Sequence, residues 1–186
     1  MNYGRYRNVR NAAWQCLLDF EINSLPVRLK PITERCGIRV IADRHVHVLG
    51  PTDYGKALAI RDKWYIVIDD TRPMSDYRYT IAHELGHIFL GHITTEGCSD
   101  FALRYQCFDK KPPTETQADA FAARLLCPAI VLHELNLITP EAIMSACQVP
   151  LACATERAKR IATLTERNKF LTHPLERRVW ENFKTH

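Results

Sequence analysis

The sequence predicts an α+β fold: a small sheet of three or so strands, a long apolar helix after it, and a mostly helical C-terminal half. Three observations predict this. Residues 38–69 hold short β-rich runs divided by turn residues. The stretch TIAHELGHIFLGH at 80–92 is apolar at helical spacing. Beyond residue 113 the chain reads as a series of helices, several opened by Thr or Pro.

The elements follow in order. Val9, Ala13, Leu17 and Phe20 or Ile22 share one side of a helix over 9–22, which ends before Leu25-Pro26. Pro31 opens a short helix to Cys36 that Gly37 closes. Strands are predicted at 38–41, 56–60 and 64–69, the last two joined by the turn Arg61-Asp62-Lys63. The run WYIVID is nearly continuous in apolar character, which predicts a strand buried on both faces. A central helix is predicted over 76–90, and then a connection over 91–113 of the length that functional loops and lids have. Thr114, with Gln117 three residues on, has the spacing of a capping box for the helix carrying ETQADAFAARLL, which stops near Cys127-Pro128. Shorter helices follow at 129–135 and from Thr139-Pro140, and Pro150 opens the last long one, to about residue 164. The division this suggests is a body at 1–135 and a basic, helical extension at 136–186 packed on the same domain.

At 186 residues, 46% hydrophobic and 25% charged, the chain can bury a core without covalent staples. No apolar run reaches the length of a membrane span, and the polar start MNYGRYRNVRN is unlike a signal peptide, so a cytoplasmic protein is expected. Seven cysteines, an odd number without zinc-knuckle spacing, are expected as reduced thiols. The net charge of +4 resides in the tail: from residue 156 onward eight Lys/Arg face four Asp/Glu, and the rest of the chain is neutral. That is the distribution of a solvated helix face or of a contact with an acidic partner or nucleic acid.

Chemistry concentrates in the central helix. His83 and His87 are four apart, so their imidazoles leave the same face, and Glu84 follows the first. In this HExxH arrangement two neutral imidazoles ligate zinc while the glutamate beside the metal takes a proton from bound water. His133-Glu134-Leu135-Asn136-Leu137 begins the same way, but leucine stands where the second ligand would be. Gly86 is expected to leave room at the metal.

A catalytic zinc needs a third protein ligand. Residue 93, where a third histidine would complete one longer version of the motif, is isoleucine. His92 lies five after His87, rotated off its face, and is expected near the helix end where a cation suits the dipole. The other solution is a glutamate from a second helix, Glu115, although Glu115 and Asp119 would also suit the N-terminal end of that helix as acids facing its dipole. Asp119, one turn later, is placed to accept a hydrogen bond from a ligand imidazole.

TIAHELGHIFLGH, followed by E-x-x-AD-x-FAARLLCP at 115–128, resembles the ImmA/IrrE family of metallo-endopeptidases. INSLPVRLKPITERCGIRVI and WYIVIDDTRPMSDYRYTIAHELGH extend the resemblance over most of the chain. It implies a zincin-like fold, a Zn2+ cofactor, His83, His87 and Glu115 as ligands and Glu84 as general base. Tyr79 stands where phenylalanine is usual, and Cys127 where methionine is. Tyr79 and His92 are candidates for contact with substrate or with the oxyanion, with Arg78 and His133 weaker ones. The resemblance also implies a protein substrate, a helix-turn-helix repressor cut to derepress genes of a mobile element or stress response. Another reading comes from the rhythm of 138–161, two short helices and a tight turn followed by Arg157, Lys159 and Arg160, which suits a DNA-binding or interaction regulator.

Overall fold

The computed structural model describes Tyr3, Gly4 and residues 8–93 and 112–184. Most of the connection expected over 91–113 lies outside the described residues, as do Cys98 and Cys107. The fold is α+β, with eight α-helices and one three-stranded sheet among the described residues.

Helix α1, Val9–Asp19, begins where the Asn8 side chain accepts the Arg10 amide at 2.9 Å, and it buries Ala12, Ala13, Trp14, Cys16 and Leu17. Helix α2, Lys30–Arg35, has Pro31 in its first turn and leads through Gly37, at φ +67°, into strand β1, Arg39–Ala42. Strands β2, Gly55–Ile60, and β3, Lys63–Ile68, form an antiparallel hairpin. Its turn is two residues long, with Arg61 and Asp62 both at positive φ as tight hairpins require, so Lys63 belongs to the strand. β1 pairs in parallel with β3, giving the order β1-β3-β2. β3 is therefore central and β2 is an edge. Burial on both faces holds for Ile66, Val67 and Ile68, whereas Trp64 and Tyr65 are half-buried because they lie at the hairpin end.

Helix α3, Met74–Leu90, lies against the sheet and starts two residues earlier than its sequence predicts. The approach is close: a Cβ on Gly55 would meet the Thr80 methyl at 2.5 Å. Gly91, at φ +75°, ends α3, with its amide on the Ile88 carbonyl and the His92 amide on the His87 carbonyl. This Schellman turn folds the chain back over the last helical turn.

Helix α4, Pro113–Leu126, packs along α3 and α1. The capping box expected of Thr114 and Gln117 does not form. Proline, with its fixed φ and no amide to satisfy, takes the first helical position at Pro113, which leaves Thr114 inside the helix. A Cβ on Gly86 would lie 3.1 Å from the Ala118 Cα and 3.2 Å from its carbonyl oxygen. Gly86 thus makes room for the α4 backbone rather than for a metal.

Helices α5, Ala129–Glu134, α6, Pro140–Cys147, α7, Leu151–Glu166, and α8, Pro174–Lys184, complete the chain. Thr139 caps α6 by accepting the Ala142 amide. α8 packs on α1 and α5. No helix among the described residues is long and apolar enough to cross a membrane, and the five described cysteines are free thiols.

Candidate metal centre

Tyr79, His83 and His87 are successive residues of one i, i+4 stripe on α3, and Glu115 and Asp119 form the matching pair on α4. Because Gly86 lets the two helices approach closely, the stripes meet. His83 Nε2 lies 3.1 Å from His87 Nε2. The Glu115 carboxylate closes the triangle, with one oxygen 3.3 Å from His83 Nε2 and the other 3.2 Å from His87 Nε2. All three side chains are buried, and one ligand atom from each lies within 4.8 Å of the others.

Two imidazole nitrogens and a carboxylate facing one point could hold a metal ion. Donors of a tetrahedral zinc site, at about 2.0–2.1 Å from the ion, stand about 3.3–3.4 Å from one another. The observed separations of 3.1–3.3 Å fit such an ion. Glu115 Oε2 is buried without a hydrogen-bond partner, which also suits a ligand atom. Burial raises the Glu115 pKa, but the His83 and His87 rings outweigh it and bring the carboxyl from 4.5 down to about 2. It is ionised, as a ligand must be.

The tautomer is set from outside the triangle. Asp119 Oδ1 lies 2.8 Å from His83 Nδ1, so that nitrogen donates to the carboxylate, which would leave Nε2 to present its lone pair to a bound metal. The Tyr79 hydroxyl donates to the same Asp119 oxygen at 3.4 Å. Glu84 points to the sheet side of α3. It is buried, and its Oε2 accepts the Ala57 amide of edge strand β2 at 2.8 Å. Ala57 had no sequence signal, because the contact is through backbone.

His92 lies just past the end of α3, where it is expected, but its side chain does not point away from the site. The Schellman turn brings the ring back beside His87, with centroids 5.1 Å apart, and Nε2 lies 2.9 Å from Gln117 Oε1. Burial and the neighbouring His87 lower its pKa below the usual 6.5, against the opposing effect of Gln117. Its cationic form is disfavoured there. Gln117, two residues beyond Glu115, was legible only as a capping residue.

The weaker candidates lie elsewhere. Arg78 donates to the carbonyls of Val27, Cys147 and Gln148, tying α3 to the loop before α2 and to the end of α6. His133 stacks on Phe170 with centroids 4.2 Å apart. Of the cations suggested for DNA, Arg157 is buried, with Nε and Nη2 on the Cys127 carbonyl at 3.0 and 2.7 Å. Lys159 pairs with Glu156.

Residues 33–159 match the family model Peptidase_M78, the IrrE N-terminal-like domain. The match spans α3 and α4 and every residue of the centre. No curated protein matches the chain.

Proposed function

The chain belongs to the IrrE N-terminal-like peptidase family, and from that premise we propose that it is a zinc-dependent endopeptidase acting on a helix-turn-helix repressor. The observation that carries the reading is the buried convergence of His83, His87 and Glu115, with the buried Glu84 following His83 on α3. The three would hold Zn2+, which supplies an acidified water and a polarised substrate carbonyl when bound.

The chain's own residues do the rest. Asp119 holds His83 in the Nδ1–H tautomer, with the Tyr79 hydroxyl on the same oxygen. Glu84, anchored through one oxygen to Ala57, takes a proton from the attacking water and gives it to the leaving amide nitrogen. The edge of β2 offers the backbone groups that an extended substrate segment pairs with, next to that glutamate. Tyr79 and His92 are the residues to test for contact with the substrate or its carbonyl oxygen. We read residues 1–135 as the zincin-like catalytic unit and 136–186 as a helical extension of it. The site is a cytoplasmic one on this reading, since its substrate is a DNA-bound regulator. Cleavage of the repressor would free the genes it silences, those of a mobile element or a stress response.

Co-expression of the chain with a repressor-type protein tests this. Wild type is expected to yield discrete fragments, and Glu84→Gln none, while zinc content stays at about one per chain. Normal cleavage by Glu84→Gln would remove that residue from its role.

A further inference from the structure

A second polar concavity lies at the other end of α4. Glu115 and Arg124 are nine residues apart, about 14 Å along a helix axis. The concavity has a volume of about 160 Å³, and its lining includes Arg10 of α1, Arg124 of α4, Arg157 and Arg160 of α7, and Lys169 and Glu176 beyond it. Five cations face one carboxylate, an excess as large as the formal net charge of the whole chain, +4.

None of the five makes an ion pair among the described residues. Glu176 is the one carboxylate there: burial raises its pKa, and the Leu171 amide and the charge of Arg10 act against that, so it offsets at most one of the five. Two of the cations have structural work. Arg157 holds the Cys127 carbonyl through two of its nitrogens, and Arg124 Nη1 donates to the Ala120 carbonyl at 2.8 Å. Arg10 lies over the Trp14 ring at 4.7 Å and reaches Asn11 with Nε. These contacts leave further guanidinium N–H groups in each case, since each fork carries five. They give no reason for Arg160 and Lys169 to join the same cavity. Burial first, and then the charges of Arg157, Arg160 and Arg10, lower the Arg124 pKa from 12.5 to about 10.

We propose that this pocket binds a small phosphorylated anion, with a phosphate or diphosphate group seated among Arg10, Arg124, Arg157, Arg160 and Lys169. Guanidinium forks match phosphate oxygens in planar pairs of hydrogen bonds, and four of the five cations are arginine. The size agrees. A water's share of liquid is about 30 Å³, so the cavity takes a group of a few heavy atoms, not a whole ligand of the kind filling roughly 300–1,000 Å³. Arg160 and Lys169 are exposed and form the mouth, where the remainder of a larger ligand would emerge. A DNA duplex does not suit the floor, because Arg157 is buried and Arg10 and Arg124 are half-buried.

The test is titration calorimetry and thermal denaturation on the zinc-loaded full chain at fixed ionic strength, with inorganic pyrophosphate and with ADP. Arg160→Ala/Lys169→Ala removes only the exposed mouth, and Arg160→Gln alone is the milder second variant. Arg61→Ala/Lys63→Ala removes the same charge at the distant hairpin. One pyrophosphate per chain, a raised Tm, at least tenfold weaker binding in the mouth double variant and no change in the hairpin variant are the expected results. ADP binding as tightly with the same dependence identifies a nucleotide-borne diphosphate, and pyrophosphate binding alone a free anion; both support the site. No saturable binding of either probe at millimolar concentration overturns it, as does equal weakening in the hairpin variant. Binding of a 20-base-pair duplex through the mouth residues without pyrophosphate binding also overturns it.

Discussion

Asp119 shows how much of the centre is decided by single side chains outside the metal-facing triangle. Its carboxylate fixes which His83 nitrogen faces Glu115. Partners of this kind typically contribute 10–100-fold to metal affinity. Asp119→Ala is therefore expected to weaken zinc binding by about that factor while the fold persists, measured by competition with a chromophoric chelator; unchanged affinity would mean the tautomer needs no such support. The residues that ligate by spacing were legible because the helix repeat puts i and i+4 on one face. Those held by turn or backbone geometry were not. His92 is off the ligand face on a helical wheel and returns to it only through the Schellman turn at Gly91. Glu84 could be recognised from its motif, but its anchor, the Ala57 amide, carries no side-chain identity to read.

Elements are joined here by absent side chains. Gly86 on α3 faces the Ala118 backbone on α4 within the distance an added methyl would need. Gly86→Ala is expected to force α4 outward by a few tenths of an ångström and to destabilise by about 1–3 kcal/mol, the usual cost of overpacking. Because Glu115 rides on α4, zinc affinity is expected to fall with stability, seen in chemical denaturation and in metal competition. A variant as stable and as tight as wild type would show that the helices have slack. Helix and strand identities were legible from periodicity, and their ends less so. The capping signal at Thr114 yielded to Pro113, whose missing amide suits a first helical position. Arg61 and Asp62 are legible as turn residues, yet their positive φ values, which fix the two-residue hairpin, are set by the pairing of β2 with β3.

Across the whole molecule, charge organises into two unlike places. One is the buried His83–His87–Glu115 centre, and the other is the cationic pocket formed where α1, α4 and α7 meet. The tail's positive balance was legible in composition, but its destination was not. Arg157 looked like a surface cation in the sequence, and the fold buries it on the Cys127 carbonyl at the end of α4. Hydrogen bonds to a charged group contribute about 1.5–3 kcal/mol. Arg157→Ala is expected to cost about that much stability in urea denaturation while leaving about one zinc per chain. Loss of zinc at unchanged stability would instead connect Arg157 to the metal centre. The pairing of Arg10 with residues more than a hundred positions away is a product of topology alone.

The central claim is that one metal site is built across two helices. Zinc per chain, in purified wild type and in Glu115→Ala after mild chelation, zinc reloading and dialysis, tests it most directly. The account predicts about one zinc in wild type and far less in the variant, since two imidazoles alone leave the coordination set incomplete. Equal zinc in both proteins would contradict it by removing α4 from the ligand set, and no zinc in reloaded wild type would contradict it altogether.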